Sequence, residues 1–176
     1  SKTGAGGTFT WYRADSAAAA GTVISGQTGE TYTLTTDDHG KYIYAEYKDP
    51  NAANAAKSNV LGPVGNGVQT VTKELGYDNV QLTYGGALPT MNQKPEFSQT
   101  GTISYTVAPV GVIEIVGQGN ITKILKAGTA KITATNTVAK YDDVTSEVNV
   151  TVTAATPVLT VEPTTNTSKP GDTVTF

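Results

Sequence analysis

Side chains suited to chemistry are sparse in this chain. It holds one histidine, His39, and no cysteine, so a zinc site built from the usual nitrogen and sulfur donors lacks its ligands. His39 falls in the turn Asp38-His39-Gly40, where a solvated ring is the ordinary outcome. No serine or cysteine stands in a nucleophile pattern with a base. Two acidic pairs, Asp37-Asp38 and Asp142-Asp143, fall in loops. Clustered loop carboxylates hold Ca²⁺ in many extracellular repeats, but neither pair has the alternating spacing that wraps the ion. Ca²⁺ is the one cofactor these residues leave open, and Asp38 is expected to bond backbone in its own turn instead. Glycoside hydrolysis needs two facing carboxyl groups in a cleft, and Glu114 stands alone on its strand. Trp11 and Tyr12 could form a sugar-stacking platform, against the plainer reading of Trp11 as a core residue. These observations point away from an enzyme.

The scaffold that positions these residues is written in the composition. The chain has 176 residues, 38% hydrophobic and 15% charged, enough for one or two small domains with cores of their own. It contains 31 threonines, many alternating with Val, Ile or Tyr, the composition of pleated, half-buried strands. No stretch has helical periodicity, and the run Ala17 to Ala20 is too short to form a helix alone. A formal charge of -3 and a pI near 5.1 give no basic footprint for nucleic acid or an anionic membrane. No segment is apolar and long enough for membrane insertion, and no signal peptide is present. The absence of cysteine gives no redox address. Both ends are expected to be cuts from a longer chain.

Residues 1 to 66 form the first expected module. Ser1 to Gly7 is a glycine-rich loop. Phe9 and Trp11 then share one face of a strand, with Thr8, Thr10 and Tyr12 on the other. Ala14 to Gly29 is a long connection with a short strand piece at Thr22 to Ile24. Thr31 to Thr35 alternates Tyr32 and Leu34 against Thr, a corner follows at Asp38 to Gly40, and Lys41 to Lys48 is a second strand. Asp49 to Ala56 is a hairpin loop, Ser58 to Val64 a closing strand, and Gly62 to Gly67 a linker by composition.

The spacing Asp38-x-Gly40-x-Tyr42, with Trp11 upstream, resembles the tyrosine corner and strand C tryptophan of immunoglobulin domains. That resemblance points Tyr42 and Tyr44 inward. Tyr44 then stands where an antibody domain keeps a disulfide cysteine, a bond contributing roughly 2–5 kcal/mol, and Trp11 packs on Tyr44 in its place. A second reading points Ile43, Ala45 and Tyr47 inward, and a shift of one residue exchanges the two.

Residues 67 to 156 form the second expected module. Strands are expected at Val68 to Thr72, Asn79 to Thr83, Gly101 to Val107, Val112 to Val116, Ile121 to Leu125, Ala130 to Thr135 and Glu147 to Thr153. Turns fall at Gly117 to Asn120 and Lys126 to Thr129. Short strands at this spacing indicate a sandwich. The run from Gly111 to Asn136, with Gly119, Ile121, Gly128, Thr129 and Ala130 in place, resembles the bacterial Ig-like group 2 repeat, and Leu82 to Pro89 is similar to related repeats. The resemblance covers most of residues 79 to 153 and implies an extracellular or cell-surface setting. Some relatives of this kind form Lys–Asn cross-links beside an acid, for which Lys123, Asn149 and Glu114 are the residue types. Asn120, Asn149 and Asn166 head glycosylation acceptor triplets.

Residues 157 to 176 resemble strands A and B of a further module, with Val158, Thr160 and Val161 in one and Val174 and Phe176 in the other. The expected fold is all-β: tandem immunoglobulin-like Greek-key sandwiches, the first lacking its N-terminal strands. Joining Phe176 to Ser1 closes the pattern, as one period of an array would. Alternatively, residues 158 to 176 complete residues 1 to 66 of a neighbouring chain by strand addition. The expected function is structural: a stalk, surface layer or fibre segment of a secreted bacterial protein, its partners being neighbouring copies or modules. The alternative is an adhesin module that binds host glycan or protein through loops such as Gly4 to Gly7 and Asn51 to Ala56.

Overall fold

The computed structural model describes residues 6–158 and Pro170. They form two all-β units joined through the segment 58–70. The first contains β1 (Thr8–Ala14), β2 (Thr22–Val23), β3 (Tyr42–Lys48) and β4 (Ala56–Lys57). These make one antiparallel sheet in the order β2-β1-β3-β4. Threonine and aromatic alternation drives β1 and β3, since such side chains pack well on a pleated surface.

Register decides the faces. Phe9 pairs with Tyr47, Trp11 with Ala45 and Arg13 with Ile43; Thr10 pairs with Glu46, Tyr12 with Tyr44 and Ala14 with Tyr42. Directly opposed residues share a face. Trp11 and Tyr44 therefore lie on opposite faces, and the expected packing of Trp11 on Tyr44 does not occur. The side chains facing Trp11 are those of the second reading, Ile43, Ala45 and Tyr47. Tyr44 is buried all the same, by residues on the far side. The corner tyrosines are one residue out of phase with Trp11.

The strand expected at Thr31 to Thr35 does not form. This stretch runs irregularly into a 3-10 turn, Thr36–Asp38. Its Tyr32 ring lies against Trp11, with centroids 5.6 Å apart. The Tyr32 hydroxyl and the Thr35 N–H both donate to Asp38, which draws the stretch over the face of the sheet instead of along an edge. The closing strand expected at Ser58 to Val64 does not form: β4 falls just before it, at Ala56–Lys57, and the stretch itself makes two isolated bridges, Ile43 to Leu61 and His39 to Val64.

The second unit is a two-layered sandwich. One layer contains β7 (Gln81–Thr83), β10 (Thr102–Ala108), β13 (Gly128–Thr137) and β14 (Val144–Thr153), in the order β10-β13-β14-β7, with β7 parallel to β14. The other is three two-stranded pairs. These are β5 (Val71–Lys73) with β9 (Glu96–Phe97), β6 (Gly76–Tyr77) with β8 (Met91–Gln93), and β11 (Ile113–Val116) with β12 (Asn120–Ile124). Alternation along β13 sends Ala130, Ile132 and Ala134 into the core, where they meet Val150 and Val152 of β14 and Ile113 of β11. All six are almost wholly buried. At about 25 cal/mol per Å² of apolar surface, each large side chain here contributes roughly 1.5–3 kcal/mol.

Candidate functional site

The corner is a charge-locked turn. Asp38 is fully buried, and its Oδ1 accepts from Arg13 Nε at 2.7 Å and Nη2 at 2.6 Å. Its Oδ2 accepts from the Thr35 N–H at 2.7 Å and the Tyr32 hydroxyl at 2.8 Å. Burial alone would raise the Asp38 carboxyl. The bonds from Thr35, Tyr32 and the Arg13 guanidinium outweigh it and hold the pKa below the ordinary carboxylate range. Gly40 has φ +72, the left-handed conformation that glycine adopts without steric penalty, and so lets the chain turn back into β3. Arg13 and Tyr32 are the partners that sequence reasoning missed. The signal for Arg13 is the alternation Phe9-x-Trp11-x-Arg13, which puts it on the tryptophan face.

Beyond the corner, the two faces of the first sheet differ. On one, the Tyr12 and Tyr44 rings stack at 4.9 Å and 9°, and Lys57 Nζ lies 3.8 Å from the Tyr44 centroid. The Tyr44 hydroxyl accepts from the Gly21 N–H at 3.0 Å. On the other face Phe9, Trp11 and Tyr47 are half-exposed. Phe9 and Tyr47 lie 5.0 Å apart, and Trp11 Nε1 donates to the Gly29 carbonyl at 2.9 Å. A cleft of about 580 Å³ opens beside Phe9, Ala45 and Tyr47, bounded by the loop that carries Asp49, Ala52 and Asn54.

The segment read as a linker is bonded on both sides. Gly40 N–H donates to the Val64 carbonyl at 2.8 Å and Val64 N–H to the Lys41 carbonyl at 2.9 Å. Gly67 N–H donates to the Lys140 carbonyl at 2.8 Å, and Asp142 N–H to the Gly67 carbonyl at 3.0 Å. Asn66 Nδ2 donates to Asp142 Oδ1 at 2.8 Å. A Cβ on Gly67 would sit 2.7 Å from the Tyr141 ring, so only glycine lets the backbones approach this closely.

The other candidates do not converge. Asp37 is exposed and 4.0 Å from Lys140, while Asp38 spends both its oxygens in the corner. Asp142 accepts from Asn66, and Asp143 is exposed. Among the described residues no three metal-ligating acids or histidines come together. His39 is half-buried and makes a backbone bridge to Val64. Lys123 and Glu114 form an exposed cross-strand ion pair at 2.8 Å. Asn149 is in the other layer, opposite Lys131, so the three cross-link residue types are not gathered. Asn120 and Asn149 are exposed strand residues. Val158 is exposed, and Thr160, Val161, Asn166, Val174 and Phe176 lie outside the described residues. No family model, curated protein or solved structure matches this chain.

Proposed function

We propose that this chain is a structural segment of an extracellular bacterial surface protein, a stalk, surface layer or fibre, in which immunoglobulin-like units are joined end to end. The observation that carries the reading is the junction. Residues 64 to 67 give backbone hydrogen bonds to the first unit through Val64 and to the second through Gly67. A connection whose polar groups are committed to both neighbours holds them at one angle, as a spacer requires. Two further features support it. The order β2-β1-β3-β4 is that of strands C′, C, F and G in an immunoglobulin sheet. The Asp38-Gly40-Tyr42 corner begins β3 where that fold begins strand F. The role is mechanical: main-chain pairing and close junction contacts transmit position along the chain.

Antibodies raised against the chain test this on the cells that make it. Gold-labelled antibody should decorate intact cells at the envelope or on projecting structures. Label that appears only after the cells are opened would overturn the reading.

A further inference from the structure

Asn66-Gly67 is the one asparagine–glycine step in the chain; every other asparagine is followed by a residue with a side chain. The step carries its own chemistry. The backbone nitrogen after an asparagine can attack the side-chain carbonyl, and a Cβ on the attacking residue ordinarily hinders it. Glycine has no Cβ. Packing demands glycine here, because a Cβ on Gly67 would sit 2.7 Å from the Tyr141 ring. The close approach to Tyr141 thus leaves the exposed Asn66 amide without its usual shield.

Both residues are latched to the loop before β14. Asn66 Nδ2 donates to Asp142 Oδ1 at 2.8 Å. The Gly67 N–H donates to the Lys140 carbonyl, and the Gly67 carbonyl accepts from the Asp142 N–H. Asp142 is held from the buried side, where its own carbonyl accepts from Gln69 Nε2 at 2.8 Å. That bond fixes the backbone that carries the Asp142 carboxylate.

We infer that Asn66 is a self-modification site whose conversion opens this latch for good. While the Gly67 N–H is given to Lys140, attack is held back; each opening of the latch releases it. The Gly67 nitrogen gives its proton to solvent and bonds to Asn66 Cγ. The bond from Cγ to the side-chain nitrogen breaks, and ammonia leaves. Water then opens the five-membered imide. Attack at Cγ gives aspartate; attack at the backbone carbonyl gives isoaspartate, with the chain continuing through Cγ. In sum, amide and water become carboxylate and ammonium, with no change of oxidation state. Either product opposes the latch. Aspartate sets a second carboxylate where Nδ2 now lies 2.8 Å from Asp142 Oδ1, and two like charges at that distance repel. Isoaspartate inserts a methylene into the main chain just before Gly67, whose N–H and carbonyl are both committed.

The whole chain, aged in mildly alkaline buffer and then cut with trypsin, tests this. Lys57 and Lys73 bound the peptide 58–73, which holds Asn66 and, as an internal reference, the exposed Asn59 followed by Val60. Fragment masses should show ammonia exchanged for water at Asn66 several-fold faster than at Asn59, with isoaspartate the larger share. Denaturant should speed the conversion further, since the Gly67 nitrogen is then free. In the aged chain and in Asn66→Asp, the Gly67 and Asp142 amides should exchange hydrogen about tenfold faster than in the fresh parent, as expected for the loss of a hydrogen bond. Asn66→Gln, whose longer side chain closes the ring slowly, should end the same incubation with the exchange it began with. Conversion at Asn66 no faster than at Asn59 would overturn the site, and unchanged amide exchange in the aged chain would overturn the switch. Neither result depends on envelope decoration, so this inference and the surface-protein reading fail separately.

Discussion

Trp11 and Tyr44 occupy opposite faces of one sheet, although each is a central aromatic of its strand. Trp11 is paired with Ala45, and Tyr44 with Tyr12. Aromatic contacts therefore form on both faces of the first sheet: Trp11 with Tyr32 and Phe9 with Tyr47 on one, Tyr12 with Tyr44 under Lys57 on the other.

Double-mutant cycles read this separation directly. Tyr12→Leu and Tyr44→Leu should couple by about 0.5–1.5 kcal/mol, the contribution of a stacked pair beyond its buried area. Trp11→Leu and Tyr44→Leu should be additive within about 0.5 kcal/mol, as for residues that share no partner. Denaturant unfolding of the single and double variants gives both values. A larger coupling in the second cycle would place the two rings on one face.

Asp38 ties stability to acid. Its pKa is lowered from the ordinary 3.8 by bonds made only in the fold. A depressed carboxyl stabilises above its unfolded pKa, and that contribution is lost as pH falls through the folded value. The first unit should hold its stability down to about pH 4 and lose it below. Asp38→Asn removes the charge that faces Arg13 and should cost about 2–3 kcal/mol. That is under the roughly 3–5 kcal/mol of a wholly buried pair, because Arg13 remains 29% exposed. Thermal melts at stepped pH should lose their acid-range slope in the variant.

What the sequence makes legible follows from the range of each interaction. The Asp38-x-Gly40-x-Tyr42 spacing is local, so the corner can be read from it. Its partners Arg13 and Tyr32 lie 25 and 6 residues away, and only the fold brings them in. Alternation in Thr8 to Arg13 puts Trp11 on a face, but the β3 residues that meet it depend on register, which neither strand's composition encodes. The β13–β14 hairpin is legible because ten-residue strands repeat the pattern; β6, β8 and β9 have two or three residues and no period to read. Gly62 to Gly67 has a linker's composition, yet it is fastened by backbone bonds that no side chain announces.

Tyr77 ties the second unit to alkali. Its hydroxyl donates to the Gly119 carbonyl, and burial pushes its pKa up to about 12, with Tyr105 adding to the shift. A raised pKa contributes stability below the unfolded value of 10.0, and that stability is lost as pH rises from there through the folded value. Melts of the second unit should fall between about pH 10 and 12. Tyr77→Phe should flatten the slope. It should also cost about 1–3 kcal/mol at neutral pH, because the buried Gly119 carbonyl loses its donor. An unchanged alkaline slope would show that Tyr77 does not control it.

The junction predicts rigidity with little contribution from charge. The Lys140–Asp37 pair is 4.0 Å apart and exposed at both ends, and such pairs contribute about 0–1 kcal/mol. Raising salt from about 0.1 to 1 M, which shortens the screening length from about 10 to 3 Å, should leave the small-angle scattering profile of the whole chain unchanged. Gly67→Pro deletes the N–H that meets the Lys140 carbonyl and adds ring atoms where a Cβ alone would sit 2.7 Å from Tyr141. The added atoms meet Tyr141, outside the β13–β14 core and the aromatic contacts of the first sheet, so both units should keep their melting behaviour while the scattering broadens to many inter-unit angles. If the proline variant scatters like the parent chain, the contacts of Val64 and the first unit alone fix the angle, and the Gly67 latch is not what makes the connection stiff.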